Sequence, residues 1–590
     1  MQNEDARPTP ATPTMNTPND AFDALAEFNR KLAEQAVRPL LQASGLDVAE
    51  VFKSLVAGVA QDTGHWLVIQ NDFYRAQLEL WSGVAAADGT SAAKAAADAA
   101  LGDRRFNAPE WQEPYFKTLA QSYLLTARWV SQLVDHARLE PHAKKKLVFF
   151  AQQMIDALSP ANYPWSNPEA LKLAAQTQGE SVARGMKNFA RDLDKGLVSM
   201  TDDSAFEVGR NLAITPGAVV FENDFFQLIQ YRPTTDTVYE RPLLMVPPCI
   251  NKYYILDLQP QNSYVRFALD EGHTVFMVSW RNMPGEMGRA TWDDYLEQGV
   301  ITAIDAVTEI CGAGQINVLG FCVGGTLLAS ALAVLRARKR SPAASLTLLA
   351  TMLDFCDTGE LSVFIDEAYV QMREHDFAQG GVVHGRELAL TFASLRANEL
   401  IWHYVVNNYL KGNTPEPFDL LYWNGDGTNL PGAMYAYYVR NMYLENNLRT
   451  PGKLHMCGVP VDLGRIGLPA YVLAAREDHI VPWKTAYSSS RLLGDRMEFV
   501  LTASGHIAGV INPVSRNRRN YWLNSGFGGD PEQWLAQAES HPGSWWAHWS
   551  AWLARHGGRR VAARTALGGG RYAEIEPAPG RYVGVRQTRG

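Results

Sequence analysis

Hydrophobic positions from residue 21 to about residue 198 follow the spacing of helices. The clearest stripe steps by three or four residues and stays on one helical face; its members are Phe116, Leu119, Tyr123, Ala127, Val130 and Val134. Before this region, residues 1–20 place four prolines among polar residues, a composition that buries too little apolar surface to order a chain. We therefore predict a disordered leader over residues 1–20 and a helical N-terminal domain over residues 21–200.

From about residue 211 the pattern changes to short apolar runs that alternate with helical stretches. This alternation is typical of βα units in a mostly parallel sheet. The strand candidates are residues 219–221, 227–231, 243–246, 274–278, 316–319, 346–350, 471–474 and 498–501. The sixth and seventh are separated by about residues 357–468, which have helical spacing and are too many for a structureless loop. We predict an α/β-hydrolase fold over residues 201–590, with a cap insertion over about 357–468.

Residues 320–325 read Gly-Phe-Cys-Val-Gly-Gly, between a strand candidate and a helical run. This order is typical of a nucleophile turn, where side chains two residues either side of the nucleophile would clash and glycine is needed. The helix that follows presents free N–H groups and the positive end of its dipole, which favour a thiolate. Cys322 is therefore the candidate nucleophile. The alternative is a buried structural cysteine beside a tight turn.

The partners of such a nucleophile follow it in a fixed order, first an acid after a late strand and then a histidine after the last strand. Asp478 lies where an apolar run passes into a polar loop, and His506 follows the next apolar run. Their order after Cys322 predicts a Cys-His-Asp triad. Glu477 is the rival acid and His479 the rival base, although we expect His479 to order the loop by hydrogen bonding.

An oxyanion hole in this fold uses the N–H of the residue after the nucleophile and a second N–H from the loop after the third strand. The first donor is then Val323. We assign the second to Ile250, with Cys249 and Asn251 as near alternatives. Cys249 is expected to be packed and inert, because no base is near it in the sequence.

Composition and charge exclude several other classes of function. A net charge of −8 gives no general nucleic-acid signal. The five cysteines are widely spaced without a CxxC pair, so neither disulfides nor a zinc site is expected, and a reduced compartment fits. The start of the chain lacks the pattern of a signal peptide, and no apolar run reaches the length of a membrane span. We expect a cytoplasmic protein with no transmembrane segment.

The C-terminal tail is rich in tryptophan and arginine. Its members are Trp545, Trp546, Trp549 and Trp552, followed by Arg555, Arg559, Arg560 and Arg564. This pattern fits an interfacial anchor with an aromatic side and a basic side. It fits equally well a core-packing helix whose terminal arginines complement the helix dipole.

The segments 247–257, 320–325, 476–483 and 504–509 resemble the signature segments of class I polyhydroxyalkanoate synthases. The resemblance spans roughly residues 211–583 and shows no departure at the triad. It implies an acyltransferase that polymerises short-chain (R)-3-hydroxyacyl-CoA and releases CoA, with no bound cofactor because the CoA thioester is the substrate. It also implies a homodimer that works at the surface of polyester granules, a catalytic domain that begins near residue 200, and a flexible cap that gates the site.

A cysteine nucleophile fits an enzyme that transfers acyl groups better than one that hydrolyses them. A growing polyester needs an acyl-enzyme as energetic as the incoming CoA thioester, and a cysteine thioester meets this need. The residues alone leave two alternatives open. One is a cysteine-dependent hydrolase, such as a thioesterase or a dienelactone-hydrolase-like enzyme. The other is a granule-coating protein that acts through its helical region and tryptophan-rich tail. In the preferred hypothesis the N-terminal helices serve assembly and granule attachment.

Overall fold

A computed structural model describes residues 63–82, 102–526 and 528–586. The leader predicted for residues 1–20 lies outside these residues. In the described part, the N-terminal helices are α1 (Thr63–Trp81), α2 (Pro114–His136), α3 (Pro141–Ala157), α4 (Pro168–Gln176) and α5 (Glu180–Lys195), with 3₁₀ turns at Arg104–Phe106, Pro109–Gln112 and Pro160–Asn162. Three of these helices begin with proline, whose missing N–H is not needed in a first turn. The predicted helical region before the sheet is confirmed in the described residues.

The apolar stripe predicted for a helix lies on α2, and its six members are all buried or half-buried. The helix ends at His136, where the N–H of Ala137 donates to the carbonyl of Val134. On the same face, Tyr123 donates its hydroxyl to the carbonyl of Ile155 in α3, at 2.8 Å. The stripe therefore packs α2 against α3, as a helical apolar face requires.

The main sheet has eleven strands in the described residues. They are β1 (Gly217–Glu222), β2 (Phe226–Tyr231), β3 (Leu243–Val246), β4 (Val275–Trp280), β5 (Ile316–Phe321), β6 (Ala343–Leu349), β7 (Ala470–Ala475), β8 (Met497–Thr502), β9 (Asn520–Leu523), β10 (Glu539–Pro542) and β11 (Glu576–Pro577). Their order is β10-β9-β8-β7-β6-β5-β3-β4-β2-β1-β11. Strands β4, β3, β5, β6, β7 and β8 are parallel, and the others join antiparallel.

All eight predicted strands are present in this sheet, and with them the predicted α/β-hydrolase fold is confirmed. The prediction missed β9, β10 and β11. These strands lie at or next to the edges of the sheet and are short and half-buried or exposed, so they lack the apolar run that marks a strand covered on both faces. A further short pair, Thr237–Tyr239 with Arg560–Ala562, lies outside the main sheet.

The remaining described α-helices of five or more residues belong to the hydrolase fold and its cap. They are α6 (Tyr264–Asp270), α7 (Thr302–Cys311), α8 (Val323–Ala337), α9 (Glu367–Phe377), α10 (Gly385–Ser394), α11 (Asp419–Asn424), α12 (Gly432–Tyr438), α13 (Trp483–Ser490), α14 (His506–Val510), α15 (Pro531–Ala536) and α16 (Trp546–Ala554). Helix α8 is almost wholly buried, which explains its nearly continuous apolar sequence. Over the described part of the chain, no helix combines the length and the apolar character needed to cross a membrane.

The interval between β6 and β7 carries the cap helices α9 to α12. π-Helical segments lie between α10 and α11, at Asn398–Trp402 and Val405–Leu410, and directly after α12, at Val439–Leu444. The limits proposed for the cap and for the two domains stay predictions.

Helix α5 of the N-terminal region packs closely on the cap. A Cβ at Gly185 would lie 1.8 Å from the carbonyl oxygen of Tyr409, so only glycine permits this approach. Tyr409 also stacks edge-on against Phe189, with ring centroids 5.3 Å apart. Its hydroxyl donates to Asp192 at 2.8 Å. The N-terminal helices and the cap therefore share a packed interface.

The tryptophan-rich tail forms α16 and lies in the core. All four tryptophans are at most 4% exposed. The indole N–H of Trp549 donates to the Oγ1 of Thr347 in β6, at 3.1 Å. Arg555, at the end of the helix, pairs with Glu498 of β8. The interfacial-anchor hypothesis is therefore wrong for these tryptophans, and the core-packing alternative is right.

Candidate active site

Cys322 lies at the junction of β5 and α8. Its φ of 53° and ψ of −129° fall in a region that non-glycine residues rarely adopt. The N–H of Cys322 donates to the carbonyl of Leu349 in β6, at 2.9 Å. This geometry holds the thiol at the end of a central strand and at the N-terminus of a buried helix.

The glycines around Cys322 have the steric role predicted for them. A Cβ at Gly320 would lie 2.4 Å from the Cα of Gly325. A Cβ at Gly324 would lie 2.4 Å from the carbonyl oxygen of Pro247. The first distance shows how sharp the turn is. The second shows that the loop after β3 presses directly on the start of α8.

Asp478 and His506 meet beside this turn. Asp478 lies in the loop after β7, and His506 is the first residue of α14, after β8. The Nδ1 of His506 donates to the Oδ2 of Asp478 at 2.6 Å. The other carboxylate oxygen accepts the N–H groups of Ile480 at 2.9 Å and Val481 at 2.8 Å. The carboxylate is therefore fixed on both oxygens and fixes the imidazole in turn.

The surroundings of His506 favour its charged form. Burial acts to lower its pKa, but the charges of Asp478 and Cys322, and hydrogen bonds to both, raise the pKa to about 10. The structure thus brings Cys322, His506 and Asp478 together. A cationic imidazole between a carboxylate and a cysteine stabilises the thiolate, which is the nucleophilic form.

The rival residues take other positions. The side chain of Glu477 is exposed, while that of Asp478 is buried on the histidine. His479 is half-buried, and burial lowers its pKa to about 4. Its Nδ1 is buried and makes no hydrogen bond to any described residue, so no bond from that atom supports the expectation that His479 orders the loop. The histidine that contacts the acid is therefore His506.

The predicted oxyanion loop is attached to the cap. The carbonyl of Ile250 accepts the N–H of Thr428 at 2.8 Å, and Asn251 forms a β-bridge with Gly427. The indole N–H of Trp423 donates to the carbonyl of Lys252 at 2.7 Å. The segment 423–428 of the cap therefore determines where this loop lies.

Val323 and Cys249 both lie near Cys322, and the role of Val323 as an oxyanion donor stays a prediction. Val323 is the first residue of α8, next to the thiol. Cys249 is 1% exposed, and burial raises its pKa well above that of an ordinary thiol. A buried thiol with a raised pKa is a poor nucleophile. The assignment of the second donor to Ile250 stays a prediction.

Helix α16 supports the helix that carries His506, a role that the sequence did not reveal. The indole N–H of Trp545 donates to the carbonyl of Gly509 at 3.0 Å, and that of Trp546 donates to the carbonyl of Val510 at 2.9 Å. Both carbonyls belong to the last turn of α14, where carbonyl groups have no N–H donor within the helix. The spacing of the tryptophans indicates a helix, but it does not indicate which element they contact.

Two family models match the chain. Residues 102–268 match the model described as "Poly-beta-hydroxybutyrate polymerase (PhaC) N-terminus", and residues 243–513 match the model described as "alpha/beta hydrolase fold". The first match runs from the helical region as far as α6. The second contains Cys322, Asp478 and His506. The matches overlap, so together they describe one continuous stretch of the chain.

Characterised relatives align over most of the chain. The Poly(3-hydroxyalkanoate) polymerase subunit PhaC of Cupriavidus necator is 54% identical over 522 residues, 87% of each chain. The subunit of the same name from Rhizobium etli is 44% identical, over 82% of this chain and 76% of that one. The Poly(3-hydroxyalkanoate) polymerase of Methylorubrum extorquens is 38% identical, over 98% of this chain and 99% of that one. With this identity over nearly the full length of such relatives, the chain belongs to the poly(3-hydroxyalkanoate) polymerase family.

Proposed function

We propose that this chain joins short-chain (R)-3-hydroxyacyl groups, delivered as CoA thioesters, into a polyester through a thioester on Cys322. Poly(3-hydroxyalkanoate) polymerase activity is the activity of its family. The observation that supports the role of Cys322 is the position of His506, which contacts Asp478 on one side and Cys322 on the other. This is the arrangement of an activated nucleophile.

The first step acylates the enzyme. The nitrogen of His506 that does not face Asp478 takes the thiol proton, and the Cys322 sulfur attacks the carbonyl carbon of the CoA thioester. The N–H groups of Val323 and Ile250 donate to the oxyanion that develops. Collapse of this intermediate breaks the bond to the CoA sulfur, and His506 returns the proton to the leaving thiol. The result is an acyl group on Cys322 and free CoA.

The second step lengthens the chain. His506 removes the proton of a 3-hydroxyl group, and the alkoxide oxygen attacks an acyl thioester. An ester bond forms, the thioester bond breaks, and the proton passes to the sulfur that leaves. Asp478 holds His506 in the orientation and tautomer that both steps require. The cap has a role in excluding water, which would otherwise hydrolyse the thioester.

The chain is also proposed to act as a homodimer in the cytoplasm, at the surface of polyester granules. This part of the proposal comes from the resemblance of its sequence segments to class I synthases. The N-terminal region, residues 21–200, is assigned to assembly and granule attachment on a different basis, because its sequence pattern is that of amphipathic helices. No residue of the proposed triad lies in that region.

Product analysis of the purified full chain tests the proposed function. With (R)-3-hydroxybutyryl-CoA we expect free CoA, insoluble polyester, and a peptide containing Cys322 whose mass is increased by hydroxybutyryl units. A cysteine-dependent hydrolase would instead release one free 3-hydroxybutyrate for each CoA. That outcome, or an acyl group on a different residue, would contradict the proposal.

The hydrogen bond from Trp423 of the cap to Lys252 of the oxyanion loop leads to a prediction for Trp423→Phe. This change keeps an aromatic six-membered ring but removes the pyrrole ring, and with it the N–H that fixes the carbonyl of Lys252. One hydrogen bond contributes about 0.5–1.5 kcal/mol, so we expect kcat to fall about three- to tenfold as the donor on this loop becomes less well placed. Because substrate binding does not use this bond, KM should stay within about twofold.

Steady-state CoA release measures both parameters. The matched control is Trp165→Phe, since Trp165 lies in the N-terminal region and is 53% exposed. An unchanged kcat in Trp423→Phe, or a rise in KM alone, would show that the hydrogen bond from Trp423 to Lys252 does not position the oxyanion donor.

A further inference from the structure

A chamber of about 640 Å³ lies between the N-terminal helices and the cap. Its volume is within the range of ligand pockets, about 300–1,000 Å³. One wall comes from α5 and the segment after it, through Phe189, Leu193 and Val198. Another wall comes from the cap, through Leu400 and Ile401. The chamber therefore depends on the interface between the two regions.

The other end of the chamber reaches the loop after β3, which carries the proposed second oxyanion donor. Ile250 of the oxyanion loop lines it, together with Tyr438 and Tyr443 of the cap. The rings of the two tyrosines are nearly perpendicular, with centroids 5.3 Å apart. Burial raises the pKa of Tyr443, and the charge of Cys322 adds to this rise. The chamber thus extends from the proposed oxyanion loop to α5.

The lining suits an uncharged ester better than a nucleotide. It is mostly apolar and aromatic. Its charged members are the cations Lys195 and Arg386 and the carboxylates Asp192, Asp203 and Glu387. The phosphates of CoA would need an excess of cations or N–H donors, whereas here carboxylates outnumber cations. Polyester units carry no charge and present methyl groups to the apolar wall.

We propose that this chamber holds the growing oligoester and that α5 is a specificity-determining element of elongation. The inference rests on the proposed function, and it gives the N-terminal region a role beyond assembly. A single four-carbon unit fills only a part of the chamber. Successive units then extend from Tyr438 and Tyr443 toward Leu193 and Val198. The size of the side chains on α5 sets how many units fit.

The variant Leu193→Trp tests this role by filling the chamber from the α5 side. We expect the first acylation of Cys322 to stay within about twofold, because one unit does not reach α5, while later elongation slows at least about fivefold. Oligoesters on the enzyme should then stop at shorter lengths. Rapid-quench measurement of intact protein mass follows both steps. The control is Leu171→Trp on α4, which is 41% exposed and does not line the chamber.

A second variant and a binding assay make the test independent of folding defects and of catalysis. Val198→Phe fills the same end of the chamber from the segment that follows α5. In the full-length Cys322→Ala protein, calorimetry with a methyl-capped tetramer of (R)-3-hydroxybutyrate should show at least about tenfold weaker binding for either filled variant. Binding of CoA should not change.

Two outcomes would overturn the inference. One is that variants which remain folded bind the tetramer as tightly as the unfilled protein. The other is that filling the chamber weakens the binding of CoA instead of the tetramer, which would place part of the CoA molecule in the chamber. A failure of the proposed function gives a different result, because the tetramer would still bind in the chamber although no acyl group forms on Cys322.

Discussion

Replacement of Cys322 by alanine is expected to abolish both CoA release and polymer formation. Loss of the nucleophile from a catalytic triad lowers kcat by about 10⁶ in a well-studied case, so activity should fall to background. The reason is that the thiol forms the bond to the substrate, and alanine has no atom to replace it. A thiol assay for CoA and the mass of insoluble product measure the two losses.

The other cysteines are the matched controls for this change. Cys249→Ala removes a buried sulfur close to the site, and we expect a stability cost of about 1 kcal/mol with activity retained. Cys311, Cys356 and Cys457 contact neither Asp478 nor His506 in the described hydrogen bonds, and their alanine variants should also remain active. Full activity in Cys322→Ala, or a folded but inactive Cys249→Ala, would contradict the assignment of the nucleophile.

The parts of the fold predicted from the sequence are those with strong local patterns. Strands β3 to β8 are covered on both faces, so each is a nearly continuous apolar run, and the runs can be recognised without any partner. Strands β9 and β10 are half-buried or exposed, and the pairing of β9 with β8 and of β10 with β9 depends on distant residues. Local periodicity carries no information about such pairing.

The candidate site was predictable for a related reason. The fold places its nucleophile and its partners at strand ends in a fixed order, so Cys322, Asp478 and His506 could be selected by position. The supporting contacts could not be selected in this way. The bond from Trp423 to Lys252 joins residues 171 positions apart, and the bond from Trp545 to Gly509 joins the start of α16 to the last turn of α14. Such contacts follow from the folded arrangement alone.

The change Asp478→Asn is expected to slow elongation much more than the first acylation. In the structure, the Oδ1 of Asp478 accepts two N–H groups, from Ile480 and Val481. An asparagine will keep its oxygen there, because an amide nitrogen cannot accept these bonds. Its NH₂ group then faces the Nδ1 of His506, which must lose its proton to accept the bond. The histidine is thereby held in the tautomer that cannot act as base toward the substrate.

The two steps differ in how much they need that base. A cysteine thiol has an ordinary pKa of about 8.5, so some thiolate forms without a well-oriented histidine. A hydroxyl group is a far weaker acid, comparable to water at about 15.7, and must lose its proton during attack. In a serine protease, where the proton also comes from a hydroxyl, the same Asp-to-Asn change costs about 10⁴ in rate. We therefore expect Asp478→Asn to accumulate acyl groups on Cys322 and to make little polymer.

Rapid-quench mass spectrometry with (R)-3-hydroxybutyryl-CoA measures the two steps separately in Asp478→Asn. The matched control is Glu477→Gln, which neutralises the neighbouring exposed carboxylate and should leave both steps unchanged. A second readout is the pKa of His506, which should fall below its value of about 10 once the charge of Asp478 is lost. If acylation and elongation slow equally, Asp478 does not act by orienting a base for the hydroxyl, because only that role makes the second step the more sensitive one.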